Sequence, residues 1–204
     1  MLDEAGLTEC KICVSNSLDE NIITDLLYQG AKIDSFGVGE RLITSKSDPV
    51  FGCVYKLSAI EDENGNIIPK IKVSENAIKI TNPGFKKIVR IYDNDTNKAL
   101  ADLICLDDEV IDTSKDLEIF DPDATWKRKT ITNYHIKELL TPIFKDGKQV
   151  YELPSLNEVR EYCLSEVNSL WDEIKRMVNP HKYYVDLSQK LWDLKQKMLN
   201  NIKK

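Results

Sequence analysis

The first third of the chain shows a pattern of apolar and polar positions that predicts strand, helix, strand. Two short apolar runs, 11–15 and 31–36, flank a segment whose apolar residues recur at helical spacing. Ser17 and Glu20 match a capping box at the start of that helix, and Gly30 is placed to close it. This order predicts a βαβ unit with parallel strands. The apolar face of the helix consists of Leu18, Ile22, Ile23, Leu26 and Leu27.

A glycine-containing loop, Gly37-Val38-Gly39, follows the second predicted strand and precedes a helical stretch over 40–45. Such a loop directs several backbone N–H groups to one point, which favours an anion, most often a phosphate. Glycines have no Cβ, so an anion can approach the backbone closely. On these three residues alone, a tight strand-to-helix turn explains the pattern equally well. Asn16 and Ser17 end the first strand at the same sheet edge, where α/β proteins bind ligands.

The rest of the chain predicts antiparallel strands and two final helices. Asn64-Gly65 indicates a hairpin between strands at 53–60 and 67–73, and a second hairpin joins 87–92 to 99–106. Further strands are predicted within 125–134 and 144–153. These elements indicate an α+β region.

Two helices are predicted at the end of the chain. Ser155 and Glu158 form a capping box for a helix that runs to Met177 before Asn179-Pro180 stops it. Asp186 and Gln189 are expected to cap the last helix, which carries Leu187, Leu191, Leu194 and Met198 on one face and ends in a basic tail with Lys195, Lys197, Lys203 and Lys204.

Composition excludes several classes of partner. The 204-residue chain has a net charge of -6 with 30% charged residues, which argues against nucleic acid or an anionic membrane as partner. No apolar run approaches the ~20 residues of a membrane span. The five cysteines are odd in number and scattered, which favours a reducing cytosol.

No metal site is predicted. Cys10 and Cys13 have C-x-x-C spacing, but strand residues three apart point to opposite faces and cannot chelate one ion. Cys13 is therefore expected to be buried and Cys10 to lie in a loop. The three other cysteines, Cys53, Cys105 and Cys163, are interpreted as small core residues. The basic run 126–129 is interpreted as a solvent-facing strand and His181 as a surface residue.

Several long segments resemble nicotinate phosphoribosyltransferases. VSNSLDENIITDLLYQGAKIDSFGVGERLITS and DPVFGCVYKL are similar to the later part of that enzyme's barrel. TNPGFKK, IFDPDATWKRK, LTPIFKDGKQVYELPSL and NPHKYYVDLSQKLWDLKQK are similar to its C-terminal region. The resemblance covers essentially the whole chain, and the segments agree in order.

The resemblance implies an α/β fold: residues 1–60 as part of a type II phosphoribosyltransferase (β/α) barrel, then 61–204 as an α+β C-terminal region. It implies a cytoplasmic homodimeric enzyme of NAD salvage. That enzyme joins nicotinate to phosphoribosyl pyrophosphate, with ATP and Mg²⁺, to give nicotinate mononucleotide and pyrophosphate. Family members are considerably longer, and nothing here matches the segment of their phosphorylated histidine. The chain is thus expected to be a C-terminal fragment that is inactive alone, binds no cofactor alone, and holds no catalytic residue.

The resemblance also implies a substrate site for the phosphoribosyl group. Its residues would be Ser15, Asn16, Ser17, Gly37, Val38 and Gly39. The strand end at 15–17 often reads Ser-Gly-Asp or Ser-Asn-Asp in the family, so Ser17 replaces an aspartate that would accept hydrogen bonds from ribose hydroxyls. The phosphate loop is matched at 36–39, with Glu40 where relatives often have threonine. Two alternatives stay open: a non-catalytic phosphate-binding or regulatory module, and an assembly protein whose terminal helices mediate oligomer contacts.

Overall fold

The computed structural model describes residues 1–202 and separates the chain into two compact units, Met1–Tyr55 and Lys56–Lys204. The sequence placed the division after residue 60. Lys203 and Lys204 of the predicted basic tail lie outside the described residues. Within residues 1–202, no helix is long and apolar enough to cross a membrane.

The first unit contains the predicted strand, helix and strand. Its elements are β1 (Cys13–Ser15), α1 (Glu20–Tyr28), β2 (Ser35–Gly37) and α2 (Glu40–Ile43), after a short 3-10 turn at Asp3–Ala5. Strands β1 and β2 pair in parallel, from Cys13 opposite Ser35 to Ser15 opposite Gly37. The prediction of a parallel βαβ unit is confirmed.

Both strands are shorter than predicted, and Asp34 gives a physical reason. Its carboxylate accepts a hydrogen bond from the N–H of Ile12 at 2.8 Å. The N–H groups of Asp34 and Ser35 both donate to the carbonyl of Ile12. The Asp34 side chain therefore takes the N–H of Ile12, which could otherwise bond the backbone of the neighbouring strand and extend the β1–β2 ladder toward Ala31.

The start of α1 differs from the prediction. Asp19, not Ser17, is the N-cap, and its carboxylate accepts hydrogen bonds from the N–H groups of Asn21 and Ile22. Ser17 has a left-handed backbone (φ 51°), whereas Asp19 has the extended conformation typical of a cap. The prediction for Gly30 is confirmed, because it follows the helix with φ 81° and its N–H donates to the carbonyl of Leu27.

The first unit buries little of its own surface. Leu18 is its one buried residue, and the apolar face of α1 is at best half-buried. Cys13 is exposed, which contradicts the prediction that it is buried, because a two-stranded sheet leaves its faces uncovered. Cys53 and Cys163 are also exposed, so among the cysteines only Cys105 is the core residue that was predicted.

The strands of the second unit are β3 (Ala59–Glu61), β4 (Ile67–Pro69), β5 (Lys86–Asp93), β6 (Ala99–Leu106), β7 (Leu117–Phe120), β8 (Arg128–Ile131), β9 (Tyr134–Glu138), β10 (Phe144–Lys145), β11 (Lys148–Gln149) and β12 (Val185–Leu187). The main sheet has the strand order β12-β6-β5-β9. Strands β5 and β6 are antiparallel, as are β5 and β9, while β12 runs parallel to β6. The predicted hairpins β3–β4, β5–β6 and β10–β11 are confirmed, and β7 pairs with β8 in a further hairpin.

The core of this unit lies on one face of the sheet. Val89 is opposite Leu103 and Ile91 is opposite Ala101, so one face of β5 and β6 is apolar. The hairpin β7–β8 supplies two further core residues, Ile119 and Ile131. Tyr134 completes this core cluster, which lies between the sheet and that hairpin.

The two predicted terminal helices are present with changed limits. Helix α3 (Leu156–Ser169) has the predicted capping box between Ser155 and Glu158, but it ends eight residues before Met177. Lys98 donates to the carbonyls of Asn168 and Leu170. These carbonyls at the end of the helix are thus bonded by a side chain distant in sequence and not by a further helical turn.

Helix α4 (Gln189–Ile202) begins one residue after Ser188, whose hydroxyl accepts from the N–H of Leu191. The predicted cap at Asp186 is wrong, because Asp186 lies on β12 and is buried.

Candidate functional site

The six predicted substrate-binding residues lie at the C-terminal ends of the two parallel strands in the first unit. Ser15 and Gly37 form the last pair of the parallel ladder. Asn16 and Ser17 continue from the end of β1, and Val38 and Gly39 continue from the end of β2. The loops after β1 and β2, which the sequence predicted at one edge of the sheet, are therefore adjacent in the structure.

The two glycines of the loop differ in what surrounds them. A Cβ on Gly37 would lie 3.1 Å from the Cβ of Ser15, so this glycine is needed for the close approach of the two strands. A Cβ on Gly39 would meet nothing within 4 Å, and its φ is -108°. Neither residue has the positive φ that would demand glycine. The chain's own packing therefore explains Gly37 and leaves Gly39 open to a ligand's approach.

Backbone donors at this loop are not used by the rest of the described chain. The N–H groups of Val38 and Gly39 donate to no acceptor among residues 1–202, and those of Glu40 and Arg41 belong to the first turn of α2. Because adjacent N–H groups at a strand-to-helix turn converge, they can bind the oxygens of a phosphate.

The opposite loop has an unusual backbone. Asn16 has φ 88° and Ser17 has φ 51°, so two consecutive residues other than glycine adopt the left-handed region. Such conformations are uncommon and concentrate at ligand sites. Their amide and hydroxyl groups are exposed, and each can accept or donate a hydrogen bond to a sugar hydroxyl.

An ion pair that the sequence did not predict joins the starts of the two helices. Arg41 on α2 donates to the Asp19 carboxylate, which also caps α1. The N–H of Ile22, followed by the charge of Arg41, holds the pKa of Asp19 below its usual range. A hydrogen bond from the Ser47 hydroxyl similarly lowers the pKa of Glu20. These contacts hold the loop at 37–39 beside the loop at 16–18. Sequence spacing gave no signal for them, because 22 residues separate Asp19 from Arg41.

No cluster of three or more histidine, cysteine or acidic side chains is placed to hold a metal ion in the part of the chain that the structure describes.

Comparison with known proteins identifies the family. Residues 85–195 match the model of the nicotinate phosphoribosyltransferase C-terminal domain. The chain belongs to the nicotinate phosphoribosyltransferase family. A nicotinate phosphoribosyltransferase of Bacillus subtilis (strain 168) is 41% identical over 203 residues, which cover 100% of this chain and 41% of the relative. A nicotinate phosphoribosyltransferase of Dictyostelium discoideum is 36% identical over 190 residues, covering 89% of this chain and 31% of the relative.

A solved structure has the same fold. The crystal structure of human nicotinic acid phosphoribosyltransferase superposes with a TM-score of 0.69 and 24% sequence identity. The match covers 96% of this chain and 34% of the human chain. The chain therefore spans well under half the length of these nicotinate phosphoribosyltransferases.

Proposed function

We propose that the chain supplies the phosphoribosyl-binding edge of a nicotinate phosphoribosyltransferase. The longer enzyme would join nicotinate to phosphoribosyl pyrophosphate and release nicotinate mononucleotide and pyrophosphate in NAD salvage. The observation that carries this proposal is the pairing of Ser15 with Gly37, because it sets the loops at 16–17 and 38–39 side by side at one strand end. The whole-chain similarity to the Bacillus subtilis relative supports it.

The chemistry assigned to this edge is binding and orientation. The free N–H groups of Val38 and Gly39 would hold the 5′-phosphate, and Asn16 and Ser17 would bind the ribose hydroxyls. Substitution at the anomeric carbon is dissociative in character, so holding phosphate and ribose in place supplies a large part of the rate. No residue of this edge acts as a general base in the proposal.

The finer properties of the enzyme are proposals too. Residues before Lys56 would form the last strands of a type II phosphoribosyltransferase barrel, since β1 and β2 pair in parallel around a helix. ATP and Mg²⁺ are proposed as cofactors of the longer enzyme alone, together with a cytoplasmic homodimer. Two strands cannot close a barrel, so the 204-residue chain by itself is expected to make no nicotinate mononucleotide.

Titration of the ¹⁵N-labelled chain with phosphoribosyl pyrophosphate tests the proposal. We expect saturable amide shifts at Gly37, Val38 and Gly39, with smaller shifts at Asn16 and Ser17. Nicotinate alone is the control and should leave these amides unchanged. If phosphoribosyl pyrophosphate shifts none of them, the loop is only a structural turn.

A further inference from the structure

A cavity lies wholly within the Lys56–Lys204 unit. Its volume is about 420 Å³, within the range of roughly 300–1,000 Å³ that is typical of small-molecule sites. The hairpin β7–β8 forms one wall, the segment 171–174 a second, and the segment from His181 to Asp186 a third. Every lining residue belongs to the same compact unit.

A carboxylate that forms no hydrogen bond and no salt bridge lines this cavity. Asp186 is 4% exposed, and although its backbone pairs with β6, its side chain makes neither kind of contact with any residue from 1 to 202. By contrast, the Asp102 carboxylate is 6% exposed and accepts hydrogen bonds from Arg90 and from the Tyr183 hydroxyl. Burial, together with the nearby Asp121 carboxylate, raises the pKa of Asp186 to about 6, and the charge of Lys182 acts in the opposite direction. Among the described residues no fully buried side-chain oxygen lacks a hydrogen bond, so the Asp186 oxygens are open to the cavity. A ligand in the cavity can therefore reach them and donate hydrogen bonds.

Flat aromatic surfaces lie on the same cavity. Trp171 is 40% exposed and Tyr184 is 50% exposed, so both rings retain accessible surface. Rings in this state stack readily on a planar heterocycle. Phe120 is different, because the guanidinium of Arg128 already covers its face.

The rim of the cavity is basic. Lys127, Lys129 and Lys182 are exposed, line the cavity and form no salt bridge with residues 1–202. Arg128 is already paired with Glu118. A ligand that reaches the rim would therefore meet these three lysines as well as the exposed Glu173 carboxylate. Its inner end would meet the carboxylates of Asp186 and Asp121.

We propose that this cavity binds a nucleoside monophosphate whose base carries an exocyclic amine. The amine donates to the Asp186 carboxylate, the base stacks on Trp171 or Tyr184, and the phosphate lies at the lysine rim. A free metal ion fits poorly, because the three lysines would repel it. An apolar ligand would leave Asp186 without a donor, and free phosphate would meet two carboxylates inside.

Calorimetric titration of the 204-residue chain with AMP tests this proposal, with purine riboside monophosphate and adenosine as matched probes. Purine riboside monophosphate has no hydrogen-bond donor on its base, and adenosine lacks the phosphate. We expect AMP to bind at one site and each probe to bind at least several-fold more weakly. Absence of saturable AMP binding, or equal affinity for AMP and purine riboside monophosphate, would overturn the proposal.

Two variants assign the contacts. Asp186→Asn removes the charge from the inner acceptor and should weaken AMP about tenfold, the difference between a charged and a neutral hydrogen bond. Lys182→Gln should weaken AMP and leave adenosine unchanged. Asp95→Asn is the control, because Asp95 is an exposed carboxylate on the turn between β5 and β6. If Asp186→Asn binds AMP as tightly as the Asp95→Asn control, the proposal fails.

Amide shifts separate this site from the phosphoribosyl edge. AMP should shift residues 182–186 and 127–129, and in Asp186→Asn the same shifts should need about tenfold more AMP to reach half of their full size. AMP shifts confined to residues 37–40 would contradict the cavity site while leaving the proposed phosphoribosyl edge intact. Because the two sites lie in different units, either proposal can fail alone.

Discussion

Arg90 and Asp102 are directly opposite each other on β5 and β6, and their side chains form a two-point ion pair. The Nε–Oδ1 distance is 2.8 Å and the Nη2–Oδ2 distance is 3.0 Å. Arg90 also donates to Glu166 of α3 at 2.7 Å, and the Tyr183 hydroxyl donates to Asp102 at 2.8 Å. Through Arg90 and Asp102, the sheet is thus bonded to α3 and to the segment just before β12. The hydrogen bond to Asp102 raises the pKa of Arg90, so the guanidinium stays charged at every accessible pH.

Replacing Arg90 should therefore be strongly destabilising. Arg90→Met removes both guanidinium donors of the buried Asp102 carboxylate, while Glu166 keeps its hydrogen bond from Lys137. We expect a loss of about 3 kcal/mol in the free energy of unfolding. The measurement is urea denaturation at neutral pH. Lys190→Met is the control, because the ion pair between Lys190 and Asp108 is exposed and screened by solvent, so its loss should change stability far less. Equal effects of the two substitutions would contradict a central role for the Arg90 pair.

Asp186 should make the stability of the protein depend on pH. Its pKa is 3.8 as the reference value and about 6 in the folded protein, so the folded state holds the proton more tightly. The favourable contribution of the protonated carboxyl is complete below pH 3.8 and is lost as the pH rises through about 6. The charged or titratable groups that line the same cavity are Asp121, Lys127, Arg128, Lys129, Glu173, His181, Lys182, Tyr183 and Tyr184.

The variant Asp186→Asn removes this titration. At pH 7 it should be more stable than the original protein by an amount on the order of 2 kcal/mol, and the difference should vanish near pH 4. Denaturation curves at several pH values measure it. A stability difference that does not change between pH 4 and pH 7 would show that Asp186 titrates normally.

The two units should differ in local stability. Residues of β1 and β2 are paired in two three-residue strands, and Leu18 is the one buried residue of their unit. Strands β5 and β6 are eight residues long each, and their shared face includes the fully buried Val89 and Ile91. In native-state hydrogen exchange, we expect the amides of β1 and β2 to exchange much faster than those of β5 and β6. Equal protection of both sheets would contradict this expectation.

Local signals in the sequence predicted the local structure well. Asn64-Gly65 and Asp146-Gly147 lie at hairpin turns, and Gly65 and Gly147 both have the positive φ that such turns need. The capping box of Ser155 is present because all its partners lie within one turn. The loop at 37–39 was placed at a strand end because strand, glycine and helix signals are consecutive in the chain.

Long-range contacts account for the errors. Apolar spacing continued helix α3 to Met177, but Lys98, about 70 residues away in sequence, binds the carbonyls at its end. Aspartate is a residue type that often caps helices, yet Asp186 lies on β12, which pairs with β6 in the sheet. The Asp19–Arg41 pair and the Arg90–Asp102 pair likewise depend on tertiary or cross-strand placement, which residue spacing along the chain does not encode.

Substitutions at Gly39 and Gly37 distinguish a ligand loop from a structural turn. In Gly39→Val the added Cβ meets nothing within 4 Å, so it should not collide with the rest of the chain. The side chain should weaken phosphoribosyl pyrophosphate binding by obstructing the approach of the phosphate. Gly37→Ala should instead lower stability, because its Cβ would lie 3.1 Å from Ser15.

Ser17→Asp is the matched gain-of-binding variant, since a left-handed backbone at φ 51° accepts aspartate readily. A charge-assisted hydrogen bond to a ribose hydroxyl should improve binding by about 1 kcal/mol, or several-fold in affinity. Amide-shift titrations with phosphoribosyl pyrophosphate, paired with urea denaturation of each variant, separate binding from folding. Unchanged affinity in Gly39→Val would leave the loop with a structural role only, and weaker binding in Ser17→Asp would place the ribose elsewhere.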